Sequence, residues 1–113
     1  MNFFAISVTV GLLDVHVFCI PVCCELDLKK AAKAAGDKNM ELVPVKDLLG
    51  LTGYIRGGCS PVGMKKLFPA FIDETAVLFD TICVSGGRVG LNIAVDPEAL
   101  ASVINAKFAD ITR

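Results

Sequence analysis

The sequence has no tryptophan, one histidine and one tyrosine, and its first basic side chain is Lys29. It contains no G-x-S-x-G and no phosphate-binding G-x-x-x-x-G-K-[ST], and the lone His16 anchors no triad by itself. Neither a serine-hydrolase elbow nor a P-loop nucleotide site is therefore encoded. The opening run MNFFAISVTVGLL lacks the cationic start of a secretory signal, and Asp14 ends it well short of the roughly 20 apolar residues that a membrane span requires. The expectation that follows is a cytoplasmic protein.

Cysteine is present, but not in a pattern that implies a framework. Cys19, Cys23, Cys24, Cys59 and Cys83 are odd in number and show neither disulfide nor zinc-ribbon spacing, so free thiols in a reducing compartment are expected. His16, Cys19 and Cys23 lie close together in the chain. On an extended strand, however, His16 and Cys19 point to opposite faces, and no metal site is expected.

An excess of charge of one sign is missing as well. With 11 Lys and Arg against 12 Asp and Glu, the formal net charge is −1, which gives no global attraction for nucleic acid. Such binding would have to come from local cations, for which Arg56, Lys65, Lys66 and Arg88 are the candidates. Asp73, Glu74 and Asp80 are expected to be solvated surface carboxylates. What abounds is apolar surface: 54% of residues are hydrophobic and the mean hydropathy is +0.63. A chain of 113 residues can bury a real core as one domain, and this apolar fraction is high enough that some of it should meet a partner.

Phe4, Ile6, Val8, Val10 and Leu12 alternate with smaller residues, the period of a strand with one face more deeply buried. A turn near GLLD then leads into VHVFCI, so the two segments read as a hairpin closed by Pro21. Asp27 is placed to cap a helix over LKKAAKAA, with Gly36 at its stop. MELV reads as a short strand, and VKDLL as one or two helical turns ending at Gly50. PAFID, TICVS and GLNIAV have strand character, with Leu91, Ile93 and Val95 on one side. Asp96, Pro97 and Glu98 signal the start of a helix over DPEALASVI. Strands outnumber helices without a regular βαβ repeat, which predicts an α+β domain with a mixed sheet.

Two glycine-rich loops stand out, TGYIRGGCSPVG at 52–63 and SGGRVG at 85–90. Each can be a plain tight connection. Read as a pair, they could frame one site of backbone amides together with Ser60, Ser85, Asn92 and the cation Arg88, which suits an ester carbonyl, ribose hydroxyls or phosphate. Cys59 is the best candidate reactive thiol, although a free cysteine is by default a buried small hydrophobe.

The segments ELDLKKAAKAAG, TGYIRGGCSPVGMKK, VSGGRVGLNI and AKFADI resemble, in the same order, the YbaK/EbsC proteins. These are aminoacyl-tRNA deacylases related to the editing domain of bacterial prolyl-tRNA synthetase, and the resemblance runs from about Phe18 to Arg113, nearest to the Cys-tRNA(Pro) deacylase branch. It implies one editing domain over residues 1–113, incomplete at its N-terminus, with a mixed, barrel-like sheet and flanking helices. The family's G-x-x-x-P loop falls on Gly57, Gly58, Cys59, Ser60 and Pro61, which the resemblance makes the catalytic segment. Ser85, Gly86, Gly87, Arg88 and Asn92 become the substrate-binding residues.

In that branch the substrate's own thiol attacks its ester, so no enzyme nucleophile, metal or cofactor is implied. The implied partners are the acceptor end of a mischarged tRNA, prolyl-tRNA synthetase and a second copy of the chain covering exposed apolar surface. Two departures stand against the family pattern. Its strand lysine falls near Asn2, and an aspartate of the cysteine-specific enzyme is matched by Asn92. A noncatalytic module that binds a tRNA acceptor end, an oligonucleotide or a small molecule is the alternative these departures favour.

Overall fold

The computed structural model describes residues 2–12, 15–54, 60–61 and 68–113. Two long strands organise it. β1 (Phe4–Gly11) and β2 (Val15–Pro21) pair antiparallel, from Phe4 opposite Pro21 to Val10 opposite Val15, as the alternating apolar pattern requires. Helix α1 (Leu28–Ala35) follows, with the Asp27 side chain accepting from the Lys29 and Lys30 amides and Gly36 closing it at φ 73°. β3 (Met40–Leu42) then pairs antiparallel with β1.

Helix α2 (Val45–Thr52) passes through Gly50 and stops at Gly53, whose φ of 83° is the left-handed conformation that ends helices. The expected stop at Gly50 is therefore displaced. Downstream, β4 (Ala70–Asp73) runs parallel to β2, and β7 (Lys107–Ala109) runs parallel to β4, completing a mixed sheet of order β3-β1-β2-β4-β7. Between them, β5 (Ile82–Ser85) and β6 (Asn92–Val95) form a separate antiparallel hairpin, followed by α3 (Pro97–Ile104) with Asp96 as its cap. β5 hangs on the start of β1 through a parallel bridge between Phe3 and Cys83 and a bond from the Cys83 amide to the Asn2 carbonyl.

β2 divides the core. Val17 and Cys19 pack with Ile72, Ile82, Val84, Leu100 and Ile104 on one face, whereas Phe18 and Ile20 pack with Leu26, Ala31, Met40 and Ile111 on the other. A central strand covered on both faces is buried at its five inner positions, His16 to Ile20, which is why β2 is apolar throughout apart from His16. The same two-sided cover buries Thr9, while Val10 and Leu12, toward the β1 end, are exposed. His16 sits on the α1 side against the rings of Phe18 and Phe71, opposite to Cys19, with its Nδ1 buried and without a partner among the described residues.

Asp73 departs from expectation. It is 1% exposed instead of solvated. Its carboxylate accepts from the amides of Thr75 and Ile111 and from the Thr75 hydroxyl, so it starts the 3-10 turn at Glu74–Leu78 and ties β4 to the C-terminal segment. A buried carboxylate that accepts three hydrogen bonds recovers most of those it gives up to water. Among the described residues, no helix is long and apolar enough to cross a membrane.

Candidate functional site

The β5–β6 connection is a built loop. The Gly86 amide donates to the Leu91 carbonyl at 2.7 Å, and the Leu91 amide to the Arg88 carbonyl at 3.1 Å. Inside it, the Gly87 amide donates to Ser85 Oγ at 3.2 Å, and Gly87 takes φ 106°. That conformation suits glycine and strains any other residue.

The first glycine loop approaches this turn from α2. Thr52, fully buried, ends the helix by donating from Oγ1 to the Leu48 carbonyl at 2.9 Å and accepting the Tyr54 amide at 3.1 Å. Tyr54 is thereby fixed, and its ring edge lies 3.2 Å from where a Cβ on Gly87 would stand. Such a distance is tighter than ordinary contact, so the absence of a side chain at Gly87 is what admits the ring. The start of the first loop, at Tyr54, meets the second loop here.

Of the residues read from sequence, Ser85, Gly86, Gly87 and Arg88 are brought together in this turn, and Asn92 faces Ser85 as its cross-strand partner. Arg88 and Asn92 are exposed, and Arg88 forms no ion pair with a described residue. Ser60 and Pro61 are both buried. Gly57, Gly58 and Cys59 lie outside the described residues, as do the cations Arg56, Lys65 and Lys66.

Thr52 and Tyr54 were missed by sequence reasoning. The signal was available: the chain's only tyrosine follows a Thr-Gly pair at a helix end, where a hydroxyl can satisfy the last carbonyls. Chemically, the turn offers a hydroxyl at Ser85, which accepts from Gly87 and keeps its own proton to donate, an exposed guanidinium and an aromatic edge. No cluster of His, Cys, Asp and Glu able to hold a metal occurs among the described residues.

The architecture is that of an aminoacyl-tRNA editing domain. The chain belongs to that family, its residues 14–103 matching the family model. Among curated proteins it is 54% identical over 93 residues to EbsC of Enterococcus faecalis (strain ATCC 700802 / V583), named as a candidate Cys-tRNA(Pro)/Cys-tRNA(Cys) deacylase. The match covers 82% of this chain and 57% of that protein, so the chain spans little more than half the length of this relative. A crystal structure of a candidate trans-editing enzyme for prolyl-tRNA synthetase superposes with a TM-score of 0.90 at 26% identity, covering 98% of this chain and 70% of that one. The hypothetical protein APE2540 shares the fold, with a TM-score of 0.91 at 21% identity over 99% of this chain and 75% of its own.

Proposed function

We propose that this chain is an aminoacyl-tRNA deacylase that edits in trans, with Cys-tRNA(Pro) as its substrate and the Tyr54–Gly87 junction as one wall of its pocket. The observation that carries this reading is the close approach of Tyr54, where the first glycine-rich segment begins, to Gly87 in the second. In this reading the Ser85 hydroxyl, whose own proton is free to donate, holds a polar oxygen of a terminal adenosine or its ester, the Tyr54 ring edge beside Gly87 gives it an apolar wall, and Arg88 meets phosphate. Gly57, Gly58, Cys59, Ser60 and Pro61 supply the facing loop in this reading.

The chemistry needs no side-chain base. The substrate thiol attacks its own ester carbonyl, the bond to the ribose oxygen breaks, the thiol proton passes to that oxygen, and a cyclic thiolactone leaves. The protein contributes orientation and hydrogen bonds to the developing oxyanion, and orientation alone can be worth about 7–11 kcal/mol of barrier. The reaction belongs in the cytoplasm beside prolyl-tRNA synthetase, which produces the mischarged tRNA. A second copy of the chain would cover exposed side chains away from this turn, such as Val10, Leu12 and Leu42.

Single-turnover deacylation of Cys-tRNA(Pro) by this chain tests the reading, with Ala-tRNA(Pro) and Cys-tRNA(Cys) in parallel. Accelerated release of cysteine from Cys-tRNA(Pro) supports it, and release at the buffer rate from a folded sample refutes it. The second reading is a module that binds the tRNA 3′ end without turnover. Asn92, in place of the family's aspartate, favours it, and it predicts salt-sensitive binding with an unchanged ester lifetime.

A further inference from the structure

β2 ends at Pro21, and the chain reverses in a turn closed by the Cys24 amide donating to the Pro21 carbonyl at 3.0 Å. The turn places two consecutive cysteines on the surface. Cys23 is exposed, Cys24 is half-buried, both are free thiols, and their sulfurs lie 3.7 Å apart on the same side of the turn. Beside them runs a groove of about 400 Å³ whose wall is continued by Phe3, Phe4, Leu78 and Phe79. Such a volume falls within the range of about 300–1,000 Å³ typical of small-molecule sites. Leu78 is 76% exposed and Phe3 40%, so the groove is lined by apolar surface that water covers poorly.

A disulfide is a poor resting state for this pair. Consecutive Cα atoms stand about 3.8 Å apart, below the usual span of about 4.4–6.8 Å across a disulfide, so closing the sulfurs directly would strain the bond and make it easy to reduce. An atom inserted between the sulfurs removes that constraint. Two thiolates suit a three-coordinate soft centre that brings its third substituent with it, because no third His, Cys, Asp or Glu completes a metal cluster among the described residues.

We propose that Cys23 and Cys24 form a chelating site for trivalent arsenicals bearing one hydrophobic substituent, with that substituent lying in the groove of Phe3, Phe4, Leu78 and Phe79. With phenylarsine oxide, two arsenic–sulfur bonds form, two S–H bonds break, and the arsenic–oxygen double bond breaks. The oxygen leaves as water with both thiol protons, and arsenic remains trivalent throughout. The hydrogen bond between the two thiols raises the pKa of Cys24, which keeps it protonated at neutral pH. Release as water, instead of as free protons, accommodates that state.

The test is intact-protein mass spectrometry after reduction, exposure to phenylarsine oxide and gel filtration. The expected result is a one-to-one adduct that survives an excess of a monothiol and is removed by dithiothreitol. Cys23→Ser and Cys24→Ser, surface changes whose folding circular dichroism verifies, should each lower retention at least tenfold. Retention unaffected by either change would overturn the site. The groove has its own readout: phenylarsine oxide should compete at least tenfold better than inorganic arsenite, and Leu78→Asp should narrow that ratio. An equal ratio in the parent chain would remove the groove from the proposal.

Discussion

The edge of the Tyr54 ring stands 3.2 Å from the space a Cβ on Gly87 would fill, so residues far apart in sequence share one packing contact at the mouth of the β5–β6 turn. Neither residue could hold this relation alone. Tyr54 is set by Thr52 at the end of α2, and Gly87 is set by Ser85 and by a φ of 106°.

Gly87→Val should damage function more than fold. A non-glycine residue in the positive-φ region costs roughly 1–2 kcal/mol, and the valine must also push the tyrosine aside. The expected outcome is a folded protein of lower melting temperature whose single-turnover deacylation falls at least tenfold. An undiminished rate would detach this turn from the mechanism.

Thr52→Val keeps the shape of the side chain and removes its hydroxyl. The Tyr54 amide then loses the hydroxyl it donates to and the Leu48 carbonyl loses the hydroxyl bond, and leaving a part-buried amide unpaired costs about 1–3 kcal/mol. Urea unfolding should register a loss of that size. Deacylation should fall as well, because the ring loses the bond that fixes its backbone, whereas unchanged activity at reduced stability would make Thr52 purely structural.

Asp73→Asn replaces an acceptor-only group with one that donates from half of its atoms. Three donors converge on the carboxylate, so the amide leaves at least one of them mismatched, at about 1–3 kcal/mol. The neighbouring Cys19 thiol is pushed up to about 12, first by burial and second by the Asp73 charge. Because burial leads, Cys19 should resist alkylation at pH 8 in both the parent and the variant. Rapid Cys19 labelling in a folded variant would show the carboxylate to be the controlling influence. The raised value also has a sign for stability: the contribution is full below the unfolded thiol value of about 8.5 and is lost as pH rises toward 12.

Local chemistry accounts for what was legible in the sequence. The β1–β2 hairpin follows from apolar alternation, and α1 and α3 follow from Asp27 with Gly36 and from Asp96 with Pro97, signals contained within a few residues. What escaped is nonlocal. β7 is a three-residue strand recognisable only beside β4, and Asp73 reads as a surface carboxylate until Ile111 folds back onto it. The stop of α2 falls at Gly53 instead of Gly50 because it is Gly53 that takes the left-handed conformation and bonds its amide to the Leu49 carbonyl. The same holds for the site, where Ser85 and Gly87 announce a turn but nothing in their neighbourhood names Tyr54 as the ring that closes on it.

The cap of α1 gives a prediction for acid pH. The Asp27 carboxyl is held below its ordinary value, first by the hydrogen bond from the Lys30 amide, with the Lys29 amide and the Lys30 charge assisting. Asp27→Asn retains an oxygen able to accept the same amides but removes the negative charge, so the comparison isolates electrostatics from capping. A depressed folded-state value means that the charge-dependent stabilisation is fully present above the unfolded carboxyl range of about 4 and is lost as pH falls through the lower folded value. The parent should therefore unfold at higher temperature than the variant at neutral pH, with the gap closing as acid protonates Asp27. Added salt should narrow the gap at neutral pH, since the group is exposed to screening. A gap that stays constant from neutral to strongly acidic solution would mean that the amide hydrogen bonds alone, and not the charge at the helix start, set the strength of this cap.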